Sequence, residues 1–222
     1  MVSRLYKFFH RLISRPQEKG KYSAGNWQDK VRAAALFLCR DITAGQALEI
    51  GCGEGLFLTQ LAKAHPGLEC RGADNSLLRA EQAKTRIKEM GLNNAEADCQ
   101  DAEKLEFADN YFDVVICINV FFNLPSLGNI KKVLTQVNRV TKKSGRLIFD
   151  IRNSANPALK IKYKLAPYYD ASVKNLPLNT YSCAQIEGLL KEAGFTVENK
   201  LYLGFPIKAF APLIVYQAKK ND

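Results

Sequence analysis

Short apolar runs alternate along the chain with longer segments whose apolar residues recur at helical spacing. Residues 46–50, 68–73, 93–98, 112–118 and 145–151 are runs of strand length, and residues 55–65, 76–90 and 128–141 between them carry the helical interval, as does 27–40 ahead of them. Strands that alternate with helices in this way build a parallel sheet covered by helices on both faces. Near the end, Ser182-Cys183-Ala184-Gln185 has capping-box spacing and opens a helix that stops at Gly194. Two more strands, 195–203 and 211–219, flank Gly204-Phe205-Pro206, and so short a link predicts an antiparallel pair. The expected class is therefore α/β, with a doubly wound, Rossmann-like sheet.

Two stretches depart from this alternation. Val2, Leu5, Phe9, Leu12 and Ile13 share one face of a helix, while Arg4, Lys7, Arg11 and Arg15 lie largely elsewhere. Such a basic amphipathic segment fits an anionic membrane surface, a lid over a pocket, or the solvated face of a core helix. In residues 152–180, Lys160, Lys162 and Lys164 alternate with Ile161, Tyr163 and Leu165, which predicts an extended or edge segment with one cationic face. Long insertions of this kind commonly serve as lids or binding loops.

The chemistry concentrates where the first core strand ends, at Leu48-Glu49-Ile50-Gly51-Cys52-Gly53-Glu54-Gly55. Three glycines in five positions supply a tight turn that a ligand can approach closely, and the helix that follows presents N–H donors to an electron-rich group. The spacing is not G-x-G-x-x-G, because Leu56 stands where the third glycine would be, and no G-x-x-x-x-G-K-[ST] run exists. Dinucleotide binding and a triphosphate P-loop are thus disfavoured. Asp74 lies 23 residues after Gly51, near the separation at which an acid after the second strand reaches a ribose; capping the next helix is its other reading.

Glu49-Ile50-Gly51-Cys52-Gly53-Glu54-Gly55 resembles the first motif of class I S-adenosylmethionine-dependent methyltransferases, of the small-molecule or lipid type similar to the methyltransferase-11 and -25 groups. Arg71-Gly72-Ala73-Asp74-Asn75-Ser76, Gln100-Asp101-Ala102-Glu103, Tyr111-Phe112-Asp113-Val114-Val115-Ile116-Cys117 and Val140-Thr141-Lys142-Lys143-Ser144-Gly145-Arg146 resemble the later motifs, in order, over roughly residues 45–152. The resemblance implies a seven-stranded sheet with a reversed last strand and S-adenosylmethionine as cofactor, with S-adenosylhomocysteine as product. It implies cofactor contacts from Glu49, Gly51, Cys52, Gly53 and Gly55, ribose contacts from Asp74 and Asn75, adenine recognition by Asp101 and Ala102, and a further contact from Asn119. It also places Tyr22 and Trp27 at the cofactor mouth, where both suit packing equally, and Phe122, Asn123, Tyr163, Tyr168 and Tyr169 as candidates for the acceptor pocket. On this reading residues 1–222 form one domain, with an arm and lid helices at 1–40, a cofactor-binding core at 45–152, a substrate lid at 153–180, and a closing helix and strands at 181–222.

The motif after the fourth strand narrows the substrate. Relatives acting on hydroxyls often place a histidine there, but Asn119-Val120-Phe121-Phe122-Asn123-Leu124 has none, and Val120 and Phe121 stand where amino methyltransferases of nucleic-acid bases carry prolines. The expected activity is methyl transfer to a small-molecule or lipid-linked acceptor, driven mainly by alignment, with an RNA methyltransferase and a non-catalytic cofactor-binding protein as alternatives. No catalytic residue is singled out. A net charge of +10 and a pI of 9.3 suit RNA or an anionic membrane equally. The chain's 222 residues, 47% hydrophobic, suffice for one sizeable core. Its six cysteines form no C-x-x-C pair and its two histidines no cluster, so reduced thiols and no metal are expected. No apolar run nears the ~18 residues of a membrane span and no signal region opens the chain, so a cytoplasmic location is expected, with peripheral contact through the arm as its extension.

Overall fold

The computed structural model describes residues 26–169 and 177–222. The basic arm, Tyr22 and Asp170 lie outside the described residues. Among these residues, six α-helices and seven strands follow in the order α1 Asn26–Leu38, β1 Ala44–Ile50, α2 Leu56–Ala64, β2 Gly67–Asp74, α3 Leu77–Glu89, β3 Ala95–Cys99, β4 Phe112–Cys117, α4 Leu127–Val140, β5 Thr141–Arg152, α5 Pro157–Tyr169, α6 Cys183–Glu192, β6 Phe195–Leu203 and β7 Leu213–Lys220. The strands form one sheet in the order β3-β2-β1-β4-β5-β7-β6. The first five pair in parallel, and β7 runs antiparallel to both β5 and β6. This is the expected doubly wound sheet with its reversed strand.

Successive strand residues face opposite sides, so one sheet fills two cores. Val114, Ile116 and Ile148 pack beneath Val31, Ala35 and Leu38 of α1, Phe57 and Leu61 of α2, and Ile87 of α3. Val115, Cys117, Leu147 and Phe149 point the other way, against Ile130, Val133 and Val137 of α4 and Ile186 and Leu190 of α6. The Ser182 capping box forms as its spacing predicts, with Gln185 N–H donating to Ser182 Oγ at 3.2 Å and Ser182 N–H donating to Gln185 Oε1 at 3.0 Å.

One expectation is corrected. The lysine alternation at 160–164 is helical, not extended. Pro157 occupies a first helical position, and Asn156 caps it by accepting the Leu159 N–H at 2.8 Å. Buried Leu159 and half-buried Tyr163 then share the inner face one turn apart, while Lys160, Ile161, Lys164 and Leu165 face outward. The Asn-Pro start outweighs a period-two pattern only six residues long.

Candidate functional site

Parallel strands deliver their carboxyl ends to one edge of the sheet, and the order reverses where β1 lies between β2 and β4. Loops leaving β1 and β4 there diverge to opposite faces and leave a crevice. A cleft of about 210 Å³ occupies this switch point, lined by Gly51–Glu54 after β1, by Ile118, Asn119, Phe122 and Asn123 after β4, and by Gln28 and Arg32 of α1, Gln82 of α3 and Leu178.

The glycine turn owes its shape to three left-handed residues, at φ +72° for Gly51, +55° for Gly53 and +77° for Gly55. Each does a different job. A Cβ on Gly51 would stand 2.4 Å from Val120 Cγ2, and one on Gly55 3.0 Å from the Ala83 Cβ of α3, so these two permit close packing. A Cβ on Gly53 would meet nothing within 4 Å, because it points into the cleft. The backbone is pinned by Ala73 O, which accepts the Gly51 and Cys52 N–H groups at 2.7 and 3.1 Å. Asp74, at the end of β2, adds a clamp: its two carboxylate oxygens accept N–H donors from Gly53 at 2.9 Å and Ser76 at 3.0 Å.

Polar bookkeeping singles out the cleft. Three buried side-chain acceptors of the described residues lack a hydrogen-bond partner: Glu49 Oε2, Gln82 Oε1 and Asn123 Oδ1. All three residues line this cleft. Buried acceptors left unpaired cost about 1–3 kcal/mol each, so their convergence marks a place shaped for a ligand rich in donors. Burial pushes the Glu49 carboxyl well above the usual carboxylate range and Asp74 adds to this, against the opposing pull of Arg32 and a Leu58 N–H. Burial likewise raises the Cys52 thiol, helped by Glu49 and Asp74, which leaves it neutral and unsuited to act as a nucleophile. The Cys52 side chain is packed in the core, so it offers the cleft chiefly its backbone.

A buried ionic network forms the wall on the β4–β5 side. Arg152 and Asp150, 2% and 0% exposed at their side chains, pair through Nη1 and Oδ2. Asp150 Oδ1 accepts the Asn119 N–H at 2.5 Å, and Arg152 Nη2 donates to Asn119 Oδ1 at 2.9 Å, which holds Asn119 at its left-handed φ of +59°. Arg152 Nε donates to Tyr163 Oη at 3.0 Å, and its guanidinium carbon lies 4.1 Å over the Phe122 ring, on which Tyr163 also stacks. Asn123 Nδ2 donates to Asn119 O at 3.1 Å, which leaves its Oδ1 as the unpaired acceptor.

Of the expected site residues, the structure gathers Glu49, Gly51, Cys52, Gly53, Asn119, Phe122 and Asn123 around one cleft. Gly55 sits just behind as the residue before α2, and Asp74 touches the turn. Exposed Asn75 and Asp101 and half-buried Ala102 follow β2 and β3 along the same sheet edge, and Asp101 Oδ1 accepts the Glu103 N–H at 2.8 Å. Trp27 packs on the core, with Lys162 Nζ 3.8 Å from its ring centroid, which joins α1 to α5. Tyr168 and Tyr169 fall in the last turn of α5, and Tyr22 lies outside the described residues. Sequence reasoning missed Arg32, Gln82 and the Asp150–Arg152 pair. For that pair a signal exists: two opposite charges two residues apart in an apolar strand must face the same side.

Residues 47–145 match the profile of a methyltransferase domain family. The chain carries this match over just under half of its length. It resembles the ubiquinone/menaquinone biosynthesis C-methyltransferase UbiE of Desulfotalea psychrophila, 28% identical over 73% of this chain and 63% of that protein. The demethylmenaquinone methyltransferase of Thermotoga maritima is 27% identical over 64% of this chain and 58% of its own length. The chain thus spans about three fifths of these two curated relatives. In fold, the chain is similar to the magnesium protoporphyrin IX methyltransferase of Synechocystis with bound S-adenosylhomocysteine, with a TM-score of 0.70 and 19% identity, over 99% of this chain and 95% of that one.

Proposed function

We propose that the chain is an S-adenosylmethionine-dependent methyltransferase acting on a small-molecule or lipid-linked acceptor. The observation that carries this reading is the convergence of Glu49 Oε2, Gln82 Oε1 and Asn123 Oδ1 on the cleft beside the glycine turn. S-adenosylmethionine fits such a place, because it brings an ammonium, ribose hydroxyls and an exocyclic amine as donors on a cationic body. When bound, it supplies a methyl group already activated on a sulfonium.

The residues then divide the work. Glu49 accepts from the ammonium and balances its charge in a buried setting, where an ion needs a partner. Gly53 leaves its missing Cβ as contact space. Asp74 holds the turn through the Gly53 N–H and offers its remaining lone pairs, with Asn75, to the ribose, while Asp101 and Ala102 meet the adenine farther along the sheet edge. Gly51, Cys52 and Gly55 shape the turn, and Asn119 borders the sulfonium side. Phe122, with Tyr163 stacked on it and Arg152 behind, makes a flat apolar wall for the acceptor, and Asn123 Oδ1 aligns a hydroxyl or amine on it. Trp27 borders the mouth, and Tyr22, Tyr168 and Tyr169 remain candidates for the acceptor side. Alignment alone can contribute about 7–11 kcal/mol, which suits a wall with no histidine base.

The names of the quinone-pathway relatives and of the porphyrin methyltransferase support an amphiphilic acceptor. The basic arm is read as an anionic-membrane contact that brings such acceptors near. The test is incubation with methyl-labelled S-adenosylmethionine and native metabolite and lipid extracts. Label should appear in a small molecule or lipid; binding of cofactor without any labelled product, or label in RNA alone, contradicts the proposal.

A further inference from the structure

Two segments that the cleft does not use meet near its outer wall. Asn153 Nδ2 donates to the carbonyls of Ala209 and Ala211 at 3.0 and 2.9 Å, and Asn156 Nδ2 donates to that of Phe210 at 2.6 Å. These bonds tie the β6–β7 loop to the start of α5. From the joined unit, five large apolar side chains stand in water: Ile161 and Leu165 one turn apart on α5, at 61% and 48% exposure, and Phe205, Ile207 and Phe210 on the loop, at 47%, 56% and 45%. They are half of the ten large exposed apolar side chains among the described residues, which sets them apart from scattered surface residues. Around them stand the exposed Lys160, Lys164 and Lys208, and residues 153–165 and 204–213 contain no Asp or Glu at all.

We propose that this face docks onto an anionic lipid bilayer, with the five apolar side chains entering the headgroup boundary and the lysines at the level of the phosphates. The combination of protruding apolar groups with unopposed cations is what an interfacial surface requires. Charge argues against the other occupants. A second copy would bring the same lysines against themselves, and residues 1–25, with six Lys or Arg against one Glu, would bring more of the same charge. RNA would neutralise the lysines but leave the apolar side chains wet. The inner face of α5 carries Tyr163 against Arg152 and Phe122, so the bilayer side of this helix is the back of the proposed acceptor wall. That last link rests on the proposed function; the docking itself does not.

The test is flotation with vesicles of phosphatidylcholine, with and without phosphatidylglycerol. The full chain should float with the anionic vesicles and remain at the bottom with neutral ones. The triple variant Phe205→Ser/Ile207→Ser/Phe210→Ser should lose flotation while keeping S-adenosylhomocysteine affinity and monomer-like sedimentation, since all three side chains are exposed. Lys160→Gln/Lys164→Gln should weaken vesicle binding by about 25-fold, at about fivefold per lysine. The proposal is overturned if the protein ignores anionic vesicles, if both variants float like the parent while Arg4→Glu/Lys7→Glu/Arg11→Glu abolishes flotation, or if the triple variant instead dissociates an oligomer. Flotation without S-adenosylhomocysteine binding would leave this inference standing and remove the methyltransferase reading.

Discussion

Replacing Glu49 with Gln probes the cofactor reading through charge alone, since the amide keeps the shape of the carboxyl. Glu49 is 3% exposed, with one oxygen unpartnered and its carboxyl held by burial well above the usual carboxylate range. A hydrogen bond to a charged group contributes about 1.5–3 kcal/mol, so Glu49→Gln should weaken S-adenosylmethionine by roughly 10- to 150-fold. The sign of the pH dependence follows from the raised pKa. Without ligand, the share of stability that Glu49 contributes is complete below the ordinary carboxylate range and is lost as pH rises through its raised folded value. An ammonium ligand favours the ionised form, so cofactor affinity should rise with pH across that same window, and binding should release protons. Calorimetric titration in phosphate and in Tris detects this as a difference in apparent enthalpy. Equal enthalpies in the two buffers, together with undiminished affinity in Glu49→Gln, would refute the pairing of Glu49 with the cofactor.

Other substitutions separate fold from site. Gly53→Val adds a side chain to empty cleft space at φ +55°, so it should cost about 1–2 kcal/mol in thermal unfolding yet abolish cofactor binding, whereas Gly51→Val also meets Val120 and should lose more stability. Arg152→Leu strands Asp150 in the core and should cost about 3–5 kcal/mol in urea denaturation. Tyr163→Phe removes the Arg152 Nε partner while keeping the stack on Phe122. It should raise the acceptor KM with little change in S-adenosylhomocysteine affinity.

The sheet was legible in the sequence because each buried strand must be a short apolar run and each covering helix must repeat at 3.6 residues. Boundaries predicted at 112–118 and 195–203 fall at Phe112–Cys117 and Phe195–Leu203. Glu49, Gly51, Gly53 and Asp74 were legible because a ligand turn needs glycines and acids at fixed distances from strand ends. Phe122 and Tyr163 were named through the resemblance, but Arg152, which joins them, was not, since the three come from three elements and only tertiary packing brings them together. Gln82 and Arg32 belong to helices whose sequence says only that they are amphipathic. At 160–164 the local alternation misled because the Asn156 cap, one residue before Pro157, set the backbone instead.

The central claim is that the cleft at the β1–β4 switch point holds the methyl donor. Calorimetric titration of S-adenosylhomocysteine into the purified full chain tests it directly. Saturable binding to one site per chain is expected, and Gly53→Val should eliminate it while the variant still unfolds cooperatively. No heat and no thermal stabilisation in the parent protein, or equal affinity in the folded Gly53→Val variant, would contradict it.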